Sequence, residues 1–335
     1  MSGKKLTDYF KAVERRFEKL GPEEGSAVQI MICGSVVEMR FLTKEHADNV
    51  KKYLYTPVIE KYTEPSAVLY YWLDDLYEYT PEGARNVTAV WTSKDDTGEL
   101  MINPDLRMVG IDYARNVYYQ CHKPFEGTDY TIHGHSMAPL LSRWALRNGA
   151  VMLHSACLGY NGKGVMLAGM GGDGKSTLTI ACMLDGCDFV SDDYICVSQQ
   201  GPLTAMPVYR LIGINQDMAA ILKPDLPVLR TEPKRANKLF LDASACGIKD
   251  SLPVNAIIWP HKCDAKQPEI IKAQTGPVMI KIIKSTAANM QNYRDPETYR
   301  IIAQRLMKLP IYEFRLTTDL FRNRDYLKEF IINEL

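Results

Sequence analysis

Apolar residues recur at helical spacing near the start of the chain. Leu6, Tyr9, Phe10, Val13, Phe17 and Leu20 line one face and Gly21-Pro22 supplies a stop, so the pattern predicts an amphipathic helix over residues 5–20. The pattern then turns β-rich or alternating at residues 27–33, 36–42, 67–73, 87–92, 107–113 and 117–121. One helix interrupts it over 44–54, with Thr43 as N-cap. Residues 136–148 read as a helix that Gly149 ends. After it, residues 150–157 read as one strand, Asn161-Gly162 as a hairpin turn, 165–168 as the next strand and 189–191 as another. The remainder predicts a short helix (215–222), a proline-broken basic loop (223–238), a strand (254–259), a helix (295–309), a strand (310–316) and a terminal helix (326–335). Two domains follow: an α+β domain over residues 1–135, whose role the residues do not state, and an α/β domain over 136–335.

Composition narrows the function classes. The 335 residues are 46% hydrophobic, enough for two cores. Forty basic and forty acidic side chains cancel, so no global field recruits nucleic acid or an anionic membrane. The aromatic stretch 62–79 lacks clustered Lys or Arg and reads as half-buried strand rather than a base-stacking surface. The eight cysteines form no C-x-x-C pair, which argues against a zinc site or a disulfide framework and for a reducing cytoplasm. No apolar run reaches membrane-spanning length and no signal peptide is evident, so the expectation is a soluble, cytoplasmic protein. Cys121-His122 and His133-Gly134-His135 are metal-ligand residue types, but the polar connection between them sets no geometry, and a domain junction is the preferred reading.

Chemistry concentrates in residues 164–197. An apolar run enters a glycine-rich turn, Gly169, Gly171, Gly172, Asp173 and Gly174, and Lys175-Ser176-Thr177 opens a helix. That is G-x-x-x-x-G-K-[ST] between a strand and a helix, the arrangement of a phosphate-binding loop. Glycines let backbone N–H groups converge on an anion, and the helix start adds unpaired N–H groups and the positive end of its dipole. Lys175 is a point charge for the outer phosphates, and the Ser176 hydroxyl is suited to Mg²⁺. The next strand ends in Asp192-Asp193, whose side chains point to opposite faces and so divide two jobs, a metal contact and a general base. His154, on the strand expected to pair antiparallel with the one entering the loop, is placed to approach the acidic pair.

Together these residues resemble the catalytic domain of HPr kinase/phosphorylase and its relatives, a group that shares its nucleotide-site architecture with the PEP carboxykinases. The resemblance rests on His154 ahead of a hairpin, the loop 169–176 and the strand end Val190-Ser191-Asp192-Asp193, with 15 residues from His154 to Gly169 and 16 from Ser176 to Asp192. It implies an HPr-kinase-like P-loop nucleotide-binding domain over 136–335, preceded by the α+β domain. Its implied ligands are ATP and Mg²⁺. Lys175 and Ser176 would handle phosphate and metal, Asp192 would act as the base, His154 would modulate it, and Asp193 would lie near the metal with Ser176. Downstream, Tyr209 stands where the family carries a glutamate and Leu211 replaces a glycine. The resemblance therefore does not extend to the reverse dephosphorylation. It points instead to diverged relatives that phosphorylate serine on small peptides, such as lasso-peptide precursors, or free small molecules. Family members often form hexamers, so a homo-oligomer is a further expectation.

Arg230, Lys234, Arg235 and Lys238 lie in the basic loop, where a cation can offset charge on a transferring phosphoryl group, and Arg235 is the favoured one. The function expected is an ATP-dependent, Mg-requiring kinase acting on a hydroxyl of a peptide, protein or metabolite. The alternative is a non-catalytic nucleotide-binding adaptor or regulator.

Overall fold

Helix α1 (Leu6–Lys19) buries Leu6, Phe10, Val13 and Phe17, the stripe its spacing predicts. It belongs to the first of two compact units, Met1–Trp144 and Ala145–Leu335, into which the chain divides. The computed structural model describes residues 5–57, 59, 61–103, 107–123, 135, 137–232, 238–263, 265–289 and 296–335. Among these are eight α-helices and several sheets, a mixed α/β architecture.

The first unit is built on seven strands, β1 (Ala27–Ile32), β2 (Ser35–Arg40), β3 (Ala67–Leu73), β4 (Trp91–Lys94), β5 (Gly98–Ile102), β6 (Met108–Asp112) and β7 (Val117–His122). Their order is β1-β2-β3-β7-β6-β5-β4, parallel where β3 meets β2 and β7 and antiparallel elsewhere. Helix α2 (Lys44–Tyr53) starts as its cap predicts, with the Thr43 hydroxyl accepting the His46 N–H at 3.1 Å. Phe10 stacks on Tyr119, and a Cβ on Gly98 or Gly110 would run into the Phe10 ring. Helix and sheet approach closely because those two strand positions are bare. The strand expected over 87–92 begins only at Trp91, and β5 was not anticipated. Tyr70, Tyr71 and Trp72 are fully buried in β3. Cys121 and His122 end β7 inside the core, whereas His133 lies outside the described residues.

Helix α3 (Ala138–Arg147) leads into the second unit. Its strands are β8 (Ala150–Leu153), β9 (Ala156–Tyr160), β10 (Lys163–Leu167), β11 (Asp188–Ser191), β12 (Ile195–Ser198), β13 (Thr204–Pro207), β14 (Leu211–Asn215), β15 (Val228–Glu232), β16 (Lys238–Asp242), β17 (Leu252–Lys262), β18 (Glu269–Lys272) and β19 (Ile311–Leu316). Helices α4 (Lys175–Leu184), α5 (Gln216–Leu222), α6 (Thr275–Asn289), α7 (Pro296–Leu306) and α8 (Leu320–Glu334) complete it. The main path runs β11-β9-β10-β17-β13-β12-β8, with β19 also on β17 and β18 on β19; β14-β16-β15 form a separate antiparallel sheet. Alternate residues of β9 and β10 enter two cores: Leu158, Val165 and Leu167 lie in one, Cys157, Met166 and Ala168 in the other. The strand entering the glycine turn is thus covered on both faces, which fixes where the turn emerges.

Three expectations are corrected. Residues 150–157 are two strands, not one. The chain breaks at His154-Ser155, so β8 pairs with β12 while β9 pairs with β10 and β11. The His154 N–H leaves the ladder and donates to Thr286 Oγ1 at 3.3 Å. Second, β11 is separated from β10 by β9, so the strand that leads to the aspartates is not the immediate neighbour of the loop strand. Third, residues 228–232 of the predicted loop 223–238 are strand, because β15 pairs antiparallel with β16 and Phe240 and Leu241 of β16 bury their side chains. Lys234 and Arg235 lie outside the described residues.

Candidate functional site

The glycine turn leaves β10 and ends at α4, and its shape follows from its residues. Gly169, Gly172 and Gly174 all have positive φ, at 153°, 95° and 98°. At Gly174, the N-cap of α4, a Cβ would also lie 2.9 Å from Leu316 Cδ1. Only glycine combines that backbone with that packing. Asp173 braces the turn: its Oδ2 accepts the Met170 N–H at 2.7 Å and the Trp259 indole N–H at 3.1 Å. Lys281 Nζ lies 4.2 Å above the Trp259 ring and closes the same corner.

Lys175 is 7% exposed and folds back onto the turn, donating to the carbonyls of Gly169 at 2.9 Å and Met170 at 3.0 Å. Burial lowers its pKa, opposed by the charges of Asp192, Asp193 and Asp173. A cavity of about 280 Å³ opens in front of the loop, lined by Gly171, Gly172, Gly174, Lys175, Ser176 and Thr177. His154, Asp193, Lys238 and Lys262 face the same space. The sequence-named residues His154, Lys175, Ser176 and Asp193 are therefore brought together.

Asp192 sits behind that wall, 1% exposed. Its Oδ2 accepts the Gly213 N–H at 3.3 Å, and its Oδ1 has no hydrogen-bond partner among the described residues. Burial first, then the neighbouring Asp193 carboxylate, push its pKa up to about 7; Lys238, the Gly213 N–H and the Ser176 hydroxyl pull the other way. Asp193 faces His154 instead, with His154 Nε2 3.9 Å from Asp193 Oδ1. β11 ends at Ser191, so the two aspartates lie in the bend after it and not on the strand as expected; their carboxylates still point to different neighbours because the chain turns between them.

His154 is held from three sides. Nδ1 shares a 2.7 Å hydrogen bond with Ser285 Oγ, its backbone N–H is on Thr286, and its ring meets Tyr194 edge-on at 5.5 Å. Burial pushes its pKa down to about 4, aided by Lys175 and Lys238 and opposed by Asp193, so the ring is neutral at pH 7.

Sequence reasoning missed Ser285, Thr286, Gly213 and Lys262, which come from α6, β14 and the end of β17. Lys238 carried a signal as part of the basic run. Ser285-Thr286, 131 residues from His154, carried none. Among the described residues, no three His, Cys, Asp or Glu side chains form a metal-binding group. A cation here would have few protein ligands, which suits Mg²⁺ shared with phosphate and water and does not suit zinc. The pieces that fit it are the Ser176 hydroxyl and the orphaned oxygen of Asp192. No protein-family model matches the sequence, and no match was found among curated proteins.

Proposed function

We propose that this chain is an ATP-dependent kinase that transfers the γ-phosphoryl group to a hydroxyl, with serine of a peptide, small protein or small molecule as the acceptor class. The observation that carries the reading is the shared cavity, with a glycine loop and its lysine on one wall and Asp193 with His154 on the other. A carboxylate on that wall offers a proton acceptor facing the loop, which transfer to a hydroxyl requires and nucleotide binding alone does not.

In this reading the N–H groups of residues 171–176 and the start of α4 bind the phosphates. Lys175 exchanges its two carbonyl contacts for phosphate oxygens, and Lys238 and Lys262 hold charge from the far side. Ser176 and Asp192 would hold Mg²⁺, which when bound neutralises charge on the outer phosphates. Asp193 receives the acceptor's hydroxyl proton, with the neutral His154 ring beside it, Nε2 3.9 Å from Oδ1. Asp193 lines the cavity that a hydroxyl must enter, whereas Asp192 meets the loop through the Ser176 hydroxyl, which supports this allocation over the reverse one implied by the family resemblance. All eight cysteines are free thiols, which supports a cytoplasmic setting.

The test uses γ-labelled ATP and host lysate. Asp193→Asn is expected to lower transfer by about 10²–10⁴ while Mg-ATP affinity stays within about threefold. Asp192→Asn is expected to raise the Mg²⁺ concentration needed for nucleotide binding. No label transferred at saturating protein, with ATP bound normally, would instead favour the adaptor reading. That alternative is supported by Tyr209, which is 2% exposed and packs against Tyr194 at 5.7 Å where the resemblance implies an acid.

A further inference from the structure

A second cavity, of about 470 Å³, adjoins the first. Gly174, Thr177, Asn215 and Lys262 line both, so the two meet across the first turn of α4. Their chemistry differs. The first holds Asp193, His154 and Lys238. The second has no Asp, Glu or His among its described lining residues, and Leu178, Met218, Leu316 and Leu320 supply apolar walls.

An extended polyanion on the loop has two ends. One lies beside Asp193, where a hydroxyl can lose its proton. The other leads past Thr177 and Lys262 into the apolar cavity. We propose that this second cavity takes the nucleobase of a nucleoside triphosphate whose phosphates lie on the glycine loop, an inference that rests on the nucleotide reading above. Its volume falls within the range of roughly 300–1,000 Å³ usual for small-molecule sites, with the usual mix of apolar walls and few polar groups. A flat, weakly polar heterocycle gains from leaving water between such walls. Lys262 stands at the junction of the cavities, where the phosphate nearest the nucleoside passes.

The polar groups also say what the cavity reads. Asn323 is 3% exposed, but its amide is committed to Thr317. Oδ1 accepts the Thr317 N–H at 2.9 Å and the hydroxyl at 3.1 Å, and Nδ2 donates to the Thr317 carbonyl at 2.9 Å. That removes Asn323 as a reader of base edges, and ATP and GTP are expected to bind within about tenfold of each other.

Calorimetry with Mg²⁺ tests this using ATP, GTP and inorganic tripolyphosphate. The unmodified chain is expected to bind ATP at least about tenfold more tightly than tripolyphosphate, the difference being the base. Met218→Trp, which fills the cavity without adding charge, removes that advantage and leaves tripolyphosphate affinity within about twofold. Leu320→Trp does the same from another element, and circular dichroism reports whether each variant is folded. Equal affinity of the unmodified chain for ATP and tripolyphosphate overturns the inference. So does unchanged ATP affinity in the folded Trp variants. Failure of the nucleotide reading looks different: neither ligand binds the unmodified chain, or Lys175→Ala binds both as well as the unmodified chain does, and the inference falls with it.

Discussion

Asp192 is a buried carboxylate that opposes stability. In the unfolded chain a carboxylate titrates near 4, whereas burial and Asp193 raise the folded value to about 7. Below both values the two states hold the proton equally and nothing is lost. Between them the unfolded state releases its proton first, so stability falls as pH rises and stays reduced above 7. Without magnesium, Asp192→Asn is therefore expected to raise the unfolding midpoint at pH 8 by several degrees, on the order of 2–4 kcal/mol, with little gain near pH 4. Thermal melts at the two pH values check it. His154 has the opposite sense. Its folded value of about 4 lies below the unfolded one, so its contribution is lost as pH falls from about 6.5 toward 4. Both residues stand out in the sequence through the spacings that carry the family resemblance. Their burial does not, since burial depends on which distant strands pack over them.

At the scale of elements, the glycine turn divides into replaceable and irreplaceable positions. Gly174→Ala forces a side chain into a φ of 98° and against Leu316, and is expected to cost about 1–3 kcal/mol and to impair nucleotide binding. A Cβ on Gly171 meets nothing within 4 Å and its φ is not positive, so Gly171→Ala is expected to keep stability within about 0.5 kcal/mol. Denaturant titration separates the two. Helix α6 carries another expectation. Ser285→Ala removes the hydrogen bond to His154 Nδ1, costs about 0.5–1.5 kcal/mol and shifts the balance of ring tautomers, while Ser285→Thr retains the bond. Long-range proton–nitrogen spectra of the imidazole report the tautomer. The sequence offers little sign of α6. Its run of Val278, Met279, Ile280, Ile282 and Ile283 is rich in β-branched residues, and packing of Val278, Met279 and Ile282 into the core overrides that preference. The break at His154-Ser155 was hidden for a related reason, because an apolar run reads the same whether one sheet path takes it or two.

Across the whole molecule, two units carry separate cores, and the site residues described above all lie in the second. Mg-ATP is therefore expected to slow hydrogen exchange in peptides covering 169–178 and 211–215 and to leave β3 of the first unit unchanged. Thiol titration in denaturant without reductant is expected to return eight groups per chain, as the free cysteines require. Among the described residues, no helix is long and apolar enough to cross a membrane.

The linear order of residues was enough to establish the local elements and one dense motif. Helical spacing marks α1, the Thr43 cap marks α2, and a glycine turn between an apolar run and Lys175 marks the loop, because each depends on neighbours within a few positions. Tertiary structure alone decided which carboxylate meets the cavity, that Ser285 and Thr286 hold His154, and that a second, apolar cavity continues past Thr177. Those outcomes follow from strand order and from side chains packed across more than a hundred residues of chain, and short-range propensity carries no record of such contacts.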